Sequence, residues 1–445
     1  MYSALREMFR RMASSTRSGS ERNGSDVVEK PAQKSTLVAP AASEPLTGFE
    51  RTLKECVGRH THVVPGCVLA AVDKTGDIFY LRAVGDAGVA PDARPITTED
   101  SFWIASCTKL FTSICALQQV EKGLVDLDED ISRILPELKE PQIITADSTS
   151  EHGYVLNTAK NKVTLRQLLT HTSGVGYGFM SPLITTWRDH VGPSQEELSG
   201  SVAKTYDAPL LFEPGEGWAY GGGIDWAGIM VERLNNGQSL GEYMDKHIWT
   251  PFDMKHTTFH LDKHDEVRAR LVPAALRDDD GKLIPNPGPT FLETVTEHSG
   301  GGGLWSTVPD YIKVLADLIS PEPKLLKIET ITTLLAAPQI PLDSPALPTL
   351  VGSRGGALAA NAAATDAPVN YGCGGLVLTR DSEILPKGTL SWGGLPNLKW
   401  FVNREHGVAA MYASQVLPPG DKRSVDLSNE FFKEVMRLNA ERQER

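Results

Sequence analysis

Cysteine is scarce in this chain, with five residues in 445 and no Cys-x-x-C among them. The odd, scattered set (Cys56, Cys67, Cys107, Cys115, Cys373) excludes a disulfide framework or a zinc knuckle as the basis of the fold. It fits reduced thiols in a cytoplasmic protein. Positive charge is also in deficit. Lys and Arg number 44 against 56 Asp and Glu, a net −12 at pH 7, which argues against nucleic acid as a partner. Long apolar runs are missing too. Pieces such as Cys67–Val72 have the length of a strand, far short of the ~20 residues that cross a bilayer, so no membrane span is expected. What remains is a hydrophobic fraction of 40% and a charged fraction of 22%, the composition of a globular protein.

The first twenty residues carry four Arg against one Glu. They lack the uninterrupted apolar core of a secretory signal, and they are compatible with a mitochondrial presequence. From Ser14 to Glu44 the chain is rich in Ser, Ala, Pro and charge without an apolar period. Residues 1–44 are therefore expected to be a disordered tail.

Beyond the tail, Leu46, Phe49, Leu53 and Val57 recur at helical spacing. Gly66–Val72 and Asp77–Val84 flank Asp73-Lys-Thr-Gly76 and read as a hairpin. A short strand, Ser101–Ala105, runs into Ser106, after which Leu110, Ile114 and Leu117 keep a helical period. Helical patterns dominate from about 110 to 250, including Leu165–Leu169 and Trp226–Leu234. Gly388–Trp392, Leu398–Asn403 and Gly407–Ser414 read as strands, and Phe431, Val435 and Leu438 as a last helix. This order predicts an α+β fold. Its antiparallel sheet is built from both chain ends with flanking helices, and a mostly helical lobe is inserted between them. The expected unit is a single bilobed catalytic domain over 45–445. Its α/β lobe covers about 45–108 and 300–445, and its helical lobe about 109–299. Pro, Ala, Gly and Ser dominate 337–370, which is expected to be a flexible loop.

Ser-x-x-Lys occurs twice, as Ser106-Cys-Thr-Lys109 and Ser201-Val-Ala-Lys204. Residues i and i+3 of a helix share a face, so Lys109 would stand one turn above the Ser106 hydroxyl. Apolar neighbours would bury that lysine and favour it as a base. The second copy lies in a polar run, where Lys204 reads as a surface lysine. Two further segments matter. Pro214-Gly-Glu-Gly-Trp-Ala-Tyr220 sets a tyrosine at a glycine-rich turn before a helix. Leu390-Ser-Trp-Gly-Gly-Leu395 sets paired glycines on a strand, where another backbone or a ligand can approach closely.

Taken in order, Ser-x-x-Lys, Pro-Gly-x-x-x-x-Tyr and Trp-Gly-Gly resemble the serine β-lactamase-like and penicillin-binding-protein superfamily. The phrases Glu121–Asp128, Leu168-Leu-Thr-His-Thr-Ser-Gly174 and Gly300–Asp310 look like the same family. The resemblance runs from about 46 to 438. Trp218–Gly228 and Gly393-Gly-Leu-Pro-Asn397 look most like family VIII carboxylesterases and the lovastatin-type fungal polyketide acyltransferases. The resemblance implies a β-lactamase/transpeptidase-like fold, with Ser106 as the acylated nucleophile and Lys109 and Tyr220 as the proton-transfer pair. The backbone N–H groups of Ser106 and Leu395 would form the oxyanion hole. Trp392, Gly393 and Gly394 would stand where lactamases carry Lys-Thr-Gly, and Tyr177 would line the acyl pocket.

Two departures stand out. Tyr220-Gly-Gly222 replaces Tyr-x-Asn, and Trp392 replaces a cation. The missing amide and cation would hold a β-lactam's amide and carboxylate, so esters or thioesters are favoured. The expectation is a serine acyltransferase (transesterase) of secondary metabolism. It would move an acyl group from an ester or thioester donor, free or carrier-protein-bound, to an alcohol. A carboxylesterase is the alternative, and a non-catalytic scaffold is a third. His256, His260 and His264 recur every four residues, but Thr257-Thr-Phe259 is β-prone, so a shared metal-binding face is not expected. Neither a metal nor an organic cofactor is implied. His171 and Cys107 read as structural.

Overall fold

A computed structural model describes residues 48–444 apart from 59, 62, 192–200, 289 and 354–367. The tail expected over 1–44 lies outside the described residues. The central sheet has seven strands, β1 (Gly66–Asp73), β2 (Tyr80–Gly85), β3 (Val369–Gly372), β4 (Gly375–Leu378), β5 (Leu390–Gly394), β6 (Leu398–Asn403) and β7 (Val408–Ala413). Their spatial order is β2-β1-β7-β6-β5-β4-β3, and every pair is antiparallel. The N-terminal hairpin joins the C-terminal strands through β1 and β7, where Val68 faces Ala413 and Asp73 faces Val408.

The helices used below are α1 (Gly48–Cys56), α2 (Thr108–Glu121), α3 (Leu165–Thr170), α4 (Gly223–Leu234), α5 (Val308–Ile319) and α6 (Lys422–Glu444). Neighbouring residues of β6 show that both faces of the sheet are covered. The Trp400 ring lies 6.5 Å from Tyr311 of α5, and the Phe401 ring meets Phe432 of α6 edge-on at 4.9 Å. Successive side chains of a strand point to opposite faces. A sheet covered on both sides buries whole strands, which is why Gly66–Val72 is an unbroken apolar run.

Helix α2 runs through the interior, with Thr108–Leu117 all buried. Two of its buried polar side chains bond the strap that crosses it: the Thr112 hydroxyl donates to Gly300 O at 2.8 Å, and Leu304 N–H donates to Thr108 Oγ1 at 3.1 Å.

Three features add to the sequence reading, and residues 354–367 of the expected loop lie outside the described residues. The middle of the chain also holds two hairpins, Gln142–Ala146 with Tyr154–Thr158 and Ala275–Arg277 with Leu283–Pro285. Strands β3 and β4 extend the sheet where no strand was expected. The described part of 337–370 is structured, with a helix at Ala346–Gly352 and Ile340, Ala346 and Leu350 buried. Those three apolar side chains anchor a stretch whose composition alone suggested a loop. The Thr349 hydroxyl accepts the Trp218 N–H at 2.8 Å, which ties this helix to the segment leading to Tyr220.

Candidate active site

Ser106 sits in a tight turn, Ala105–Cys107, that feeds directly into α2. The turn forces Ala105 to φ +46°, a left-handed conformation that a residue with a Cβ adopts only when its surroundings hold it. They do so here. The preceding strand Ser101–Trp103 pairs with Trp305–Thr307, Ile104 N–H donates to Leu304 O at 3.0 Å, and the Trp103 indole donates to Gly302 O at 2.7 Å. Strand β5 presses on the same turn, because a Cβ on Gly394 would lie 2.4 Å from Ile104 O. Only glycine allows β5 to come this close to the turn that carries Ser106.

Lys109, one helical turn on, is 2% exposed. Its ammonium donates to Ser106 Oγ at 3.3 Å, to the Tyr177 hydroxyl at 2.9 Å and to Gly301 O at 2.6 Å. It also lies 4.7 Å from the Tyr220 ring centre. The Tyr220 hydroxyl donates to Ser106 Oγ at 2.6 Å. The Trp392 indole N–H reaches that hydroxyl at 3.4 Å. Ser106 Oγ therefore bridges Lys109 and Tyr220. Tyr177, expected to line an acyl pocket, has its hydroxyl on Lys109. Gly393 is buried in β5 beside Trp392 and pairs with Lys399 of β6.

Glycines seat Tyr220. A Cβ on Gly221 would fall 2.0 Å from Val175 O, and one on Gly223 2.6 Å from Leu168 O. His171 grips the same turn from behind. Its carbonyl accepts Ala219 N–H at 3.0 Å, and its Nδ1 accepts Gly221 N–H at 3.4 Å. Its ring stands edge-on to Tyr220 at 4.8 Å. Burial, and then the Lys109 charge, hold the imidazole well below its usual pKa, so it stays neutral. The structural reading of His171 stands.

Three contributors had no signal of their own in the sequence. Asp225 is fully buried, and its Oδ1 accepts the Ser299 hydroxyl at 2.7 Å and Gly301 N–H at 2.9 Å. Tyr371 of β3 faces Trp392 with ring centres 5.3 Å apart. Tyr206 explains the missing asparagine, since a Cβ on Gly222 would meet its ring at 2.4 to 2.6 Å. A tyrosine fills the space into which an asparagine side chain at 222 would project.

Other serines are accounted for locally. Ser201 caps a short helix and donates to Glu297, and Lys204 is exposed. Ser239 lies in Gly237-Gln-Ser-Leu-Gly241, a match to the Gly-x-Ser-x-Gly pattern of α/β-hydrolase elbows. It follows no strand; it caps the helix Leu240–Met244, and its hydroxyl donates to Glu242 at 2.7 Å. Among the described residues no group of three or more His, Cys, Asp or Glu could hold a metal ion. No helix among them is long and apolar enough to cross a membrane.

A strained turn presenting a serine, a buried lysine one turn later and a tyrosine from the turn before α4, all meeting at one oxygen, define the Ser-x-x-Lys class of acyl-enzyme-forming proteins. The chain belongs to the Beta-lactamase family, whose match covers residues 49–431.

It is similar to "Acyltransferase calJ" of Penicillium decumbens, at 37% identity over 89% of this chain and 96% of that protein. It is also similar to "Lovastatin esterase" of Penicillium rubens, at 33% over 85% and 95%, and to "Monacolin J acid methylbutanoyltransferase" of Aspergillus terreus, at 30% over 89% and 97%. Among solved structures it superposes on the LovD6 mutant of simvastatin synthase from Aspergillus terreus. The TM-score is 0.79 at 30% identity, covering 88% of this chain and 97% of that one.

Proposed function

We propose that this protein is a serine acyltransferase. Ser106 would take an acyl group from an ester or thioester, small or carried on a protein, and an alcohol would resolve the acyl-enzyme. The observation that carries the reading is the convergence of Lys109 Nζ and the Tyr220 hydroxyl on Ser106 Oγ. One of these two groups takes the Ser106 proton as Oγ attacks the acyl carbon, and the other donates a proton to the departing alkoxide or thiolate. The acceptor alcohol then reverses the sequence, giving its proton to the same pair. The N–H groups of Ser106 and Leu395 would hold the oxyanion.

Similarity to proteins named acyltransferases supports transfer as the main activity. Similarity to a lovastatin esterase supports hydrolysis as a second reading, with water in the acceptor's place. The loss of both β-lactam-holding groups, Trp392 for a cation and Gly222 for an amide, favours neutral esters. A non-catalytic scaffold fits poorly with Ser106, Lys109 and Tyr220 arranged in hydrogen-bond contact.

The test is covalent. Intact mass after incubation with an activated short-chain ester or thioester should show one acyl adduct that Ser106→Ala abolishes. An added alcohol should then discharge it to a new ester. If no Ser106-dependent adduct forms, both enzyme readings fall. If free acid is the only product with every alcohol, hydrolysis replaces transfer.

A further inference from the structure

A buried ammonium surrounded by uncharged acceptors is expensive to maintain unless a negative charge stands near it. The partners of Lys109 are a serine hydroxyl, a phenol and a carbonyl. The third of these leads to a carboxylate. Gly301 turns its carbonyl to Lys109 at 2.6 Å and its N–H to Asp225 Oδ1 at 2.9 Å. A single residue thus links the lysine to a carboxylate that is 0% exposed. The link has no slack, because a Cβ on Gly301 would fall 2.2 Å from Asp225 Oδ2. The strap is pinned on its other side too, where Ser299 donates to the same Oδ1 and Gly300 O receives the Thr112 hydroxyl of α2.

We propose that Asp225 is a positioning residue of this site: through Gly301 it fixes Lys109 Nζ beside Ser106, and its carboxylate balances the lysine's charge. The proposal rests on the acyl-enzyme reading above. The titratable groups that face this pair are Tyr177 and Tyr206, Tyr220 ahead of α4, His171 at the end of α3, and Cys107 in the nucleophile turn. Asp225 is the carboxylate of the set. Burial raises the Asp225 carboxyl pKa, and the nearby Lys109 charge, first among the opposing contacts, offsets part of that rise.

Asp225→Asn separates charge from tether, because an amide oxygen can still accept Gly301 N–H. With Lys109 as the group that takes the Ser106 proton, loss of the negative charge disfavours its protonated form and leaves the base free to lower pH. The acidic limb of kcat/KM for a nitrophenyl ester should move down by on the order of one pH unit. Asp225→Ala removes the tether as well and should lower the plateau by on the order of 10²-fold. Ser299→Ala weakens the carboxylate's anionic form and should move the limb by a smaller step in the same direction. It also serves as the test should the Asp225 variants fold poorly.

Burst amplitude with the same ester counts competent sites in every sample. If wild-type protein forms no Ser106 adduct, the acyl-enzyme reading fails. If the adduct forms but the limb stays in place in Asp225→Asn and Ser299→Ala, the role of Asp225 is overturned. A merely structural role would lower amplitude without moving the limb.

Discussion

Substituting Gly222 by Ala should be much more destabilising while Tyr206 is present. The backbone at 222 has φ −76°, which any L-residue adopts, so backbone strain contributes nothing. At a helix N-cap alanine is disfavoured against glycine by about 1 kcal/mol or less, and that part is the same with or without Tyr206. A further, Tyr206-dependent cost is steric. The cost comes from three carbons of the Tyr206 ring, which an added Cβ would meet at 2.4, 2.6 and 2.6 Å, all inside van der Waals contact. Overpacking of this kind costs about 1–3 kcal/mol. With about 400 folded residues at roughly 2 cal/mol/K each, the unfolding entropy is near 0.8 kcal/mol/K, so Tm should fall by about 1–4 °C.

The assay is a double-mutant cycle of Gly222→Ala and Tyr206→Ala, followed by urea unfolding and by melting. With Tyr206→Ala as background the ring is gone, and Gly222→Ala should cost only the N-cap exchange, about 1 kcal/mol or less, leaving a coupling of about 1–3 kcal/mol. An equal cost in both backgrounds would refute the steric explanation for the glycine at 222. The absence of a Tyr-x-Asn motif would then need another cause.

Lys109→Ala and Tyr220→Phe should each lower the acylation rate by on the order of 10²–10⁴, read as burst rates with a nitrophenyl ester; rates within tenfold of wild type would remove them from proton transfer. Gly394→Ala should impair acylation strongly, because its Cβ would sit 2.4 Å from Ile104 O and push β5 off the nucleophile turn; full activity would show that the close approach is dispensable. Stability should fall in acid through His298, whose Nδ1 accepts Gly241 N–H at 2.9 Å and whose Nε2 lies 2.8 Å from that of His260. Burial first, then His260, lower its pKa to about 4. The unfolded chain therefore binds the extra proton between about pH 6.5 and 4, and stability is complete above that window and lost across it, by about 3 kcal/mol at most. His298→Asn should flatten the curve there, and an unchanged pH dependence would place the acid sensitivity elsewhere.

Much of the site was legible because its signals are local. A serine and a lysine three apart at the start of an apolar helix must share a face. A tyrosine before a run of glycines and a helix marks a close-packed turn. The strands β1, β5, β6 and β7 were visible from their apolar runs and turn residues. Strands β3 and β4 were not, because each has four residues and Cys373-Gly374 between them leaves no period to read. At Ser239 a local match has no chemistry behind it. Five residues match a nucleophile elbow, yet the serine caps a helix, and only the preceding chain path separates the two.

Read alone, the sequence singled out Ser106, Lys109 and Tyr220 as the candidate site, the sheet made from both chain ends, and the family resemblance. These depend on spacing within one element or on residue types that few sites use in that order. The tertiary structure decided everything that depends on distant segments meeting. Gly301 reaches Lys109 across 192 residues of chain, and neither end carries a local mark of the other. Asp225 looks like an ordinary polar residue near the start of an amphipathic helix until Ser299 and Gly301 fold over it. Gly222 reads as one more glycine in a loop until the Tyr206 ring occupies the place of its side chain. Hydrogen bonds and steric exclusion act over a few ångströms in space, while periodicity acts over a few residues in sequence. The chemistry of Ser106 lies where the two coincide, and its tuning where they do not.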